Sequence, residues 1–502
     1  MKHLRRSFLG KAAILGSSGA LGLAGCGDDE TTPEPEQDPI FQHGVASGDA
    51  LVDAVILWTR VTAELEQVTV TWEIAEDEAF STLVASGEVT TNADVDFTVK
   101  VDVTGLTPAT SYYYRFAAEG EESVVGRTRT LPEGSPERGR IVVVSCSSYA
   151  HGYFHAYRRL AELDDVDAVV HLGDYIYEYG TAEYGDIRSY DPPHEIVTLE
   201  DYRRRYAHYR KDEHLQAAHQ RHVFYTVWDD HEFANNAWKD GAENHDEATE
   251  GPFAERRTAA ARAYSEWMPI RTDDPLKIFR KFQYGDLFEL FMCDTRMWGR
   301  DEQAADKDDP AILDPERTLL GDDQETWLFD GLVGSTARWK LVGQQVMMAV
   351  LPLQALVNTD QWDGYTPARE RFYTVLTATP VNDVIVLTGD IHTSWASDLT
   401  PDGVAYDPAT GDGSVAVELV VPAISSPGLG ELFAEVGSEI ELDHPRFKLV
   451  DLVKRGYVVL DLTPQRAEAS YVFFDQVEAE EAEELPPRKV VVLAGENRMT
   501  AG

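Results

Sequence analysis

"RIVVVSCSSYAHGYFHAYRRLAELDDVDAVVHLGD" (residues 140–174) decides the fold. Its first run, ending in Cys146, is apolar enough for a strand buried on both faces. "YFHAYRRLAEL" then carries helical spacing, and "VDAVVHLGD" returns to a buried run that stops at Asp174. Strand, helix, strand in that order is the unit of a parallel or mixed sheet. Further strands are expected at "HVFYTVWDD", "LFELFMCDTR", "WKLVGQQVMM", "DVIVLTGD" and "VAVELVV". Helices are expected around 200–219, 252–266, 322–335 and 367–376, and no internal repeat is visible.

Upstream the pattern differs. Residues 40–135 read as all-β, with short strands at "AVILWTRV", "VTVTWEIA", "DFTVKVDV" and "SYYYRFAA" separated by Gly, Asn and Asp turns. "LTPATSYYYRF" (106–116) resembles the tyrosine-corner segment of fibronectin-III-like sandwiches, with Leu106, Pro108 and Tyr112 in the matching positions. "TLPEGSPERGR" (130–140) reads as a linker.

The N-terminus is an address. Arg5 and Arg6 precede a weakly apolar, Gly- and Ala-rich stretch, and "LAGC" closes it at Cys26. The set resembles a twin-arginine export signal with a lipoprotein cleavage box. It implies lipidation of Cys26, the twin-arginine export machinery as a partner, and a lipid anchor at the cell envelope. An ordinary signal peptide with a chance cysteine is the alternative. The expected organisation is signal 1–26, acidic tether 27–39, sandwich 40–135, a larger domain 136–485 and a C-terminal segment 486–502. With Cys26 lipidated, only Cys146 and Cys293 remain, too few for a disulfide scaffold.

The 88 acidic against 44 basic residues give −44, a surface that repels nucleic acid and anionic lipid. No nucleic-acid binding is expected beyond a possible substrate, and the basic face of "DYRRRYAHYR" (201–210) reads as internal pairing.

Five apolar runs end in polar residues of one kind: Cys146; Asp174; Asp229, Asp230 and His231; Asp294 and Arg296; Asp390 with His392. In open α/β sheets, ligands bind beyond the carboxyl ends of the strands. Carboxylates clustered there raise one another's pKa values unless a cation offsets them. Asp, His, Tyr phenolate and Cys thiolate together suit a hard, highly charged ion such as Fe(III). Further carboxylates and amides leave room for Ca²⁺ or Mg²⁺. Two or more such ions suit attack on a phosphate by hydroxide generated at neutral pH.

The same residues carry a resemblance. "GDYIY", "WDDHEFANN", "DTR", "QQVMM" and "LTGDIHTSWASDL", together with "FQHGVASGDALVDAVILWTRV" (41–61), resemble the calcineurin-like metallophosphoesterases, and more closely the alkaline phosphatase D (PhoD-like) family. The match runs over about residues 40–475. It implies a fibronectin-III-like β-sandwich followed by a four-layer αββα metallophosphoesterase domain. It also implies hydrolysis of phosphate mono- and diesters with Fe(III) and Ca²⁺, more than one Ca²⁺ included; other divalent metals stay open. By that resemblance Asp174 bridges two metals, and Tyr177 and Cys146 ligate the ferric ion. Asp230 holds the second metal, and His231 contacts phosphate or protonates the leaving group. Asp390 and His392 complete the set. Asn235 and Asn236 are candidates for calcium or phosphate. Arg296 either clamps phosphate or pairs with Asp294.

Several rival chemistries lack their motifs. There is no HExxH, P-loop, GxGxxG, cysteine-phosphatase loop or serine nucleophile elbow. A phospholipase or nuclease specialisation, or a non-catalytic surface binding protein, remain the alternatives.

Overall fold

A computed structural model describes residues 39–351, 357–379 and 381–502. The expected export signal, Cys26 and nearly all of the tether lie outside the described residues. Every expected strand and helix of the catalytic part is present, at Gly139–Val144, His155–Glu162 and Ala168–His171 in the opening unit. The helical stretch expected over 200–219 is two helices, Leu199–Tyr209 and Glu213–Arg221. The break is chemical: the Asp212 carboxylate accepts the backbone N–H groups of His214 and Leu215 and starts the second helix.

Two large sheets lie face to face. In one, four strands run parallel: Gly139–Val144, Ala168–His171, Val223–Thr226 and Val45–Gly48. In the other, Phe288–Met292, Trp339–Gly343, Val384–Thr388 and Ala416–Val420 run parallel. Alternation along one strand shows the layering. Leu290 and Met292 join the core shared by both sheets, while Phe291 joins a second core with Leu328 and Phe372. Those two residues belong to helices Asp322–Gly334 and Thr366–Ala378. Helices Leu199–Tyr209 and Phe253–Trp267 cover the opposite side through Tyr206 and Tyr264, giving the four-layer αββα arrangement.

The segment 40–135 does form a β-sandwich. Leu83–Asn92, Gln67–Ala75, Ser111–Ala118 and Gly126–Arg129 build one sheet. The Tyr112 hydroxyl accepts the N–H of Thr107 at 2.9 Å, closing the tyrosine corner. Its other strands, Ala54–Arg60 and Thr98–Thr104, extend the ten-stranded sheet of the catalytic part through Val45–Gly48. Hydrogen bonds therefore run across the expected boundary near 135. The segment 486–502 does likewise at the other edge, where Arg488–Leu493 and Met499–Ala501 add to Arg466–Phe473.

One buried carboxylate ties the N-terminal strands to the rest. Asp49, fully buried, accepts two bonds from the Arg280 guanidinium at 2.7 Å each and the N–H of Arg271 at 2.6 Å. Removing one partner of a buried pair strands the other charge. Asp49→Ala is expected to lower unfolding stability by about 3–5 kcal/mol in a urea titration, without changing the metal content of the folded protein.

Candidate active site

The parallel strands of both sheets deliver their next residues to one place. Cys146 and Asp174 follow neighbouring strands of the first sheet, and Asp390 and His392 follow a strand of the second. A parallel bridge between Ser145 and Ala423 links the two sheets there. The backbone is forced into unusual shapes to do this. Cys146, Asp174, Asn236, Asp390 and His392 all have φ between 51° and 63°, the left-handed region that non-glycine residues avoid. Each costs on the order of 1–2 kcal/mol, tolerated where the surroundings hold the turn. Gly173 is required for closeness: a Cβ there would lie 2.4 Å from that of Asp229.

Three donor groups assemble from these residues: Cys146 with Asp174 and His392; Asp174 with Asp230 and His231; and Asp229 with Asp230 and Asp390. Within each, the candidate ligand atoms lie within 4.8 Å of one another. Asp174 is common to the first two, as a bridging carboxylate would be. One buried oxygen of Asp174 and one of Asp229 have no hydrogen-bond partner among the described residues. Orphaned carboxylate oxygens beside a thiol and an imidazole are what a bound cation would satisfy. Clusters that could hold metal ions are therefore present, and the donor chemistry fits them.

The tyrosines separate clearly. The Tyr177 hydroxyl lies 3.1 Å from Asp174 Oδ2, 3.1 Å from His392 Nε2 and 2.6 Å from Ser426 Oγ. Tyr175 points elsewhere, to His219 Nε2 at 2.9 Å, and Tyr179 packs at a tilt against Tyr184 and His231. His392 Nδ1 meets the Pro427 carbonyl at 3.2 Å, which leaves Nε2 for the cluster. His171 makes a buried bond to Tyr157, and Cys293 is a core residue.

His231 stacks on Tyr177 with ring centroids 4.2 Å apart, and its Nδ1 lies 2.7 Å from Glu178 Oε2. Burial opposes a charge on the ring, but Asp230, Glu178 and Asp174 outweigh it and hold its pKa well above the usual histidine value. Asn235 and Asn236 sit at the rim, their side-chain amides both donating to Glu243. Their backbone N–H groups bond Glu178 and Asp230.

Arg296 is fully buried. Its Nε donates to Asp229 at 2.6 Å, one terminal nitrogen donates to both Asp360 oxygens at 2.9 Å, and the other donates to Asp390 at 2.9 Å. Asp230 lies 3.8 Å away, and the Asp294 carboxylate accepts the backbone N–H groups of Arg296 and Met297 and forms no ion pair with the guanidinium. The fork is thus engaged inside the protein.

The charge state of the pocket follows. Burial, with the nearby carboxylates of Asp174, Asp229 and Asp390, pushes the Cys146 thiol well up. Burial and then Asp174 push the Tyr177 phenol up. Asp390 is raised by burial to about 7 despite Arg296, and Asp229 is raised for the same reason. Asp230 is lowered: Arg296, His231 and the Asn236 N–H overcome its burial.

Sequence reasoning missed the supports. Glu232 accepts three backbone N–H groups, from Asp229 at 2.7 Å, Asp174 at 3.0 Å and Tyr175 at 2.5 Å. It therefore locks together the two loops that carry Asp174 and Asp230. Glu178, Asp360 and Ser426 were also passed over. Glu232 and Glu178 each follow a candidate site residue by one position, but a carboxylate that holds backbone N–H groups carries no further mark in the sequence. Asp360 and Ser426 lie in loops with no such mark.

The sequence model of the PhoD-like phosphatases matches residues 141–471, and that of their N-terminal domain matches residues 27–132. The chain belongs to the PhoD-like phosphatase family. Alkaline phosphatase D of Bacillus subtilis (strain 168) is 37% identical over 498 residues, covering 93% of this chain and 84% of that one. A solved structure of PhoD is similar over 93% of each chain, with 36% identity and a TM-score of 0.86. For this PhoD-like chain the Glu232 lock has a measurable consequence. Glu232→Gln replaces one acceptor oxygen by an amide donor facing N–H groups, and metal affinity is expected to fall about 10–100-fold in a chelator competition.

Proposed function

We propose that this PhoD-like phosphatase hydrolyses phosphate mono- and diesters at the Cys146–Asp174–Asp230–Asp390 cluster. The observation that carries the reading is the bridging position of Asp174, shared by two donor groups at adjoining strand ends. Cys146, Asp174, Tyr177 and His392 would hold Fe(III), with Asp174, Asp230, Asp390 and the amides of Asn235 or Asn236 available to Ca²⁺. When bound, such ions supply positive charge to phosphoryl oxygens and acidify water.

The chain's own residues do the rest. His231 carries its proton toward the leaving-group oxygen through Nε2, while Glu178 on Nδ1 fixes the ring and favours the charged form. Tyr177 packs flat on that ring and sets its plane. Arg296 is a positioning residue rather than a phosphate clamp, because its donors already hold Asp229, Asp360 and Asp390 apart at fixed spacing. Glu232 holds the loops that present Asp174 and Asp230.

The envelope location belongs to the same proposal. Twin-arginine export and lipidation of Cys26 are supported by the order Arg5-Arg6, apolar stretch, "LAGC". No helix among the described residues is long and apolar enough to cross a membrane.

Asp174→Asn should abolish metal-dependent release of nitrophenol from model mono- and diesters; undiminished turnover would overturn the assignment. His231→Asn should lower kcat by about 10²–10⁴-fold, most for esters with poor leaving groups, because those need the proton. The iron reading is checked separately. The purified protein should show a visible tyrosinate charge-transfer band that disappears in Tyr177→Phe. A colourless, fully active protein containing only zinc or manganese would refute it.

A further inference from the structure

Tyr184 sits half-buried on the loop between Gly180 and Tyr190. Its ring stacks on that of Tyr177, with centroids 5.6 Å apart and planes 18° from parallel, and lies 6.2 Å from that of His231. Tyr179 packs against it at a tilt at 4.8 Å, and His151 meets it edge-on at 4.4 Å.

The loop is fastened on both sides of this ring. The Gly180 N–H donates to the Glu183 carboxylate at 2.9 Å, and the Ile187 N–H donates to the Ala150 carbonyl at 2.9 Å. Arg188 donates to the Tyr149 carbonyl at 3.0 Å and pairs with Asp212 at 2.8 Å. Gly185, at φ 89°, permits the close approach: a Cβ there would lie 2.8 Å from the Ala150 carbonyl carbon. His151 Nδ1 lies 2.9 Å from Ser148 Oγ, which fixes the ring that abuts Tyr184. Tyr184 is therefore held against the site by its own loop and by four neighbouring rings.

Its hydroxyl differs from that of its neighbour. The Tyr177 hydroxyl is engaged by Asp174, His392 and Ser426. The Tyr184 hydroxyl forms no hydrogen bond among the described residues. Burial, then Asp174 and then Cys146, push the Tyr184 phenol up. Both of those residues belong to the Cys146–Asp174–His392 group, so the phenol stands beside the cluster and keeps its proton. Carboxylates, thiol and imidazole offer lone pairs to that space, and a phosphoryl oxygen needs donors. Arg296 is already engaged by Asp229, Asp360 and Asp390, and His231 serves the leaving group.

We infer that Tyr184 is a further catalytic residue, its hydroxyl donating a hydrogen bond to a non-bridging oxygen of the phosphoryl group at the cluster. The inference rests on the phosphoesterase reading above. The proton stays on Tyr184 throughout, and the bond strengthens as charge gathers on the oxygen it meets.

Tyr184→Phe removes the hydroxyl and keeps the ring on Tyr177 and His231. In the metal-loaded protein kcat/KM should fall about 10–100-fold. The fall should be equal for esters with good and poor leaving groups, because the non-bridging oxygens are common to both. The inhibition constant of orthovanadate should rise by a similar factor, with metal content by elemental analysis unchanged. Wild-type values of both kcat/KM and vanadate inhibition would overturn the inference. So would a loss confined to poor leaving groups, which places the hydroxyl on the leaving group, or a loss of metal in step with activity, which makes Tyr184 a support of the metal site. Asp174→Asn is measured alongside. Undiminished turnover there defeats the phosphoesterase reading itself, whereas an inactive Asp174→Asn beside an unimpaired Tyr184→Phe defeats this inference alone.

Discussion

Carboxylates gathered at the ends of parallel strands repel one another, and the fold must hold them together regardless. Asp174, Asp229, Asp230 and Asp390 converge on a region that excludes most water. The chain counters the repulsion in two ways. Arg296 places one permanent cation among four carboxylates, with Arg300 sharing the load at Asp360. Backbone bonds from the Cys146 N–H to the Gly173 carbonyl and from the Ser147 N–H to the Asp174 carbonyl fasten two of the left-handed turns to each other. Burial first, and the neighbouring carboxylates after it, still raise the Cys146, Tyr177 and Asp390 groups. Multivalent cations are the remaining means of balance.

The strand-end pattern was legible because period and chemistry coincide there. An apolar run such as "VIVLTGD" has one reason to end in Asp390, and five such endings point to one rim. The choice among Tyr175, Tyr177 and Tyr179 was not legible from spacing. All three follow Asp174 closely, and only the turn at Asp174 sends Tyr177 inward toward Ser426 and His392. Arg296 was recognised as part of the site, but its partner was not. Asp294 is adjacent in sequence yet serves the backbone, while Asp360 arrives from a loop far along the chain.

Supports were harder to read than ligands for a physical reason. Glu232 acts through backbone N–H groups, and any carboxylate at a loop can do that without a distinguishing neighbour. Domain limits were similarly hidden. The change from all-β to alternating pattern near residue 135 is real, and the sandwich with its tyrosine corner exists. Yet strand pairing depends on exposed edges, and the edge at Val223–Thr226 accepts Val45–Gly48 in parallel register. Composition along the chain carries no trace of such a pairing.

The ten-stranded sheet also has a temporal side. Gly139–Val144 pairs on one flank with Ala168–His171, made soon after it, and on the other with Gly456–Leu462, among the last strands made. During synthesis that second flank stays an open edge, displaying unpaired amides to any neighbouring chain. Completion of this sheet is therefore a late event that waits on nearly the whole polypeptide. Until then its central strand is a point of vulnerability to aggregation, which chaperones or rapid release would have to cover.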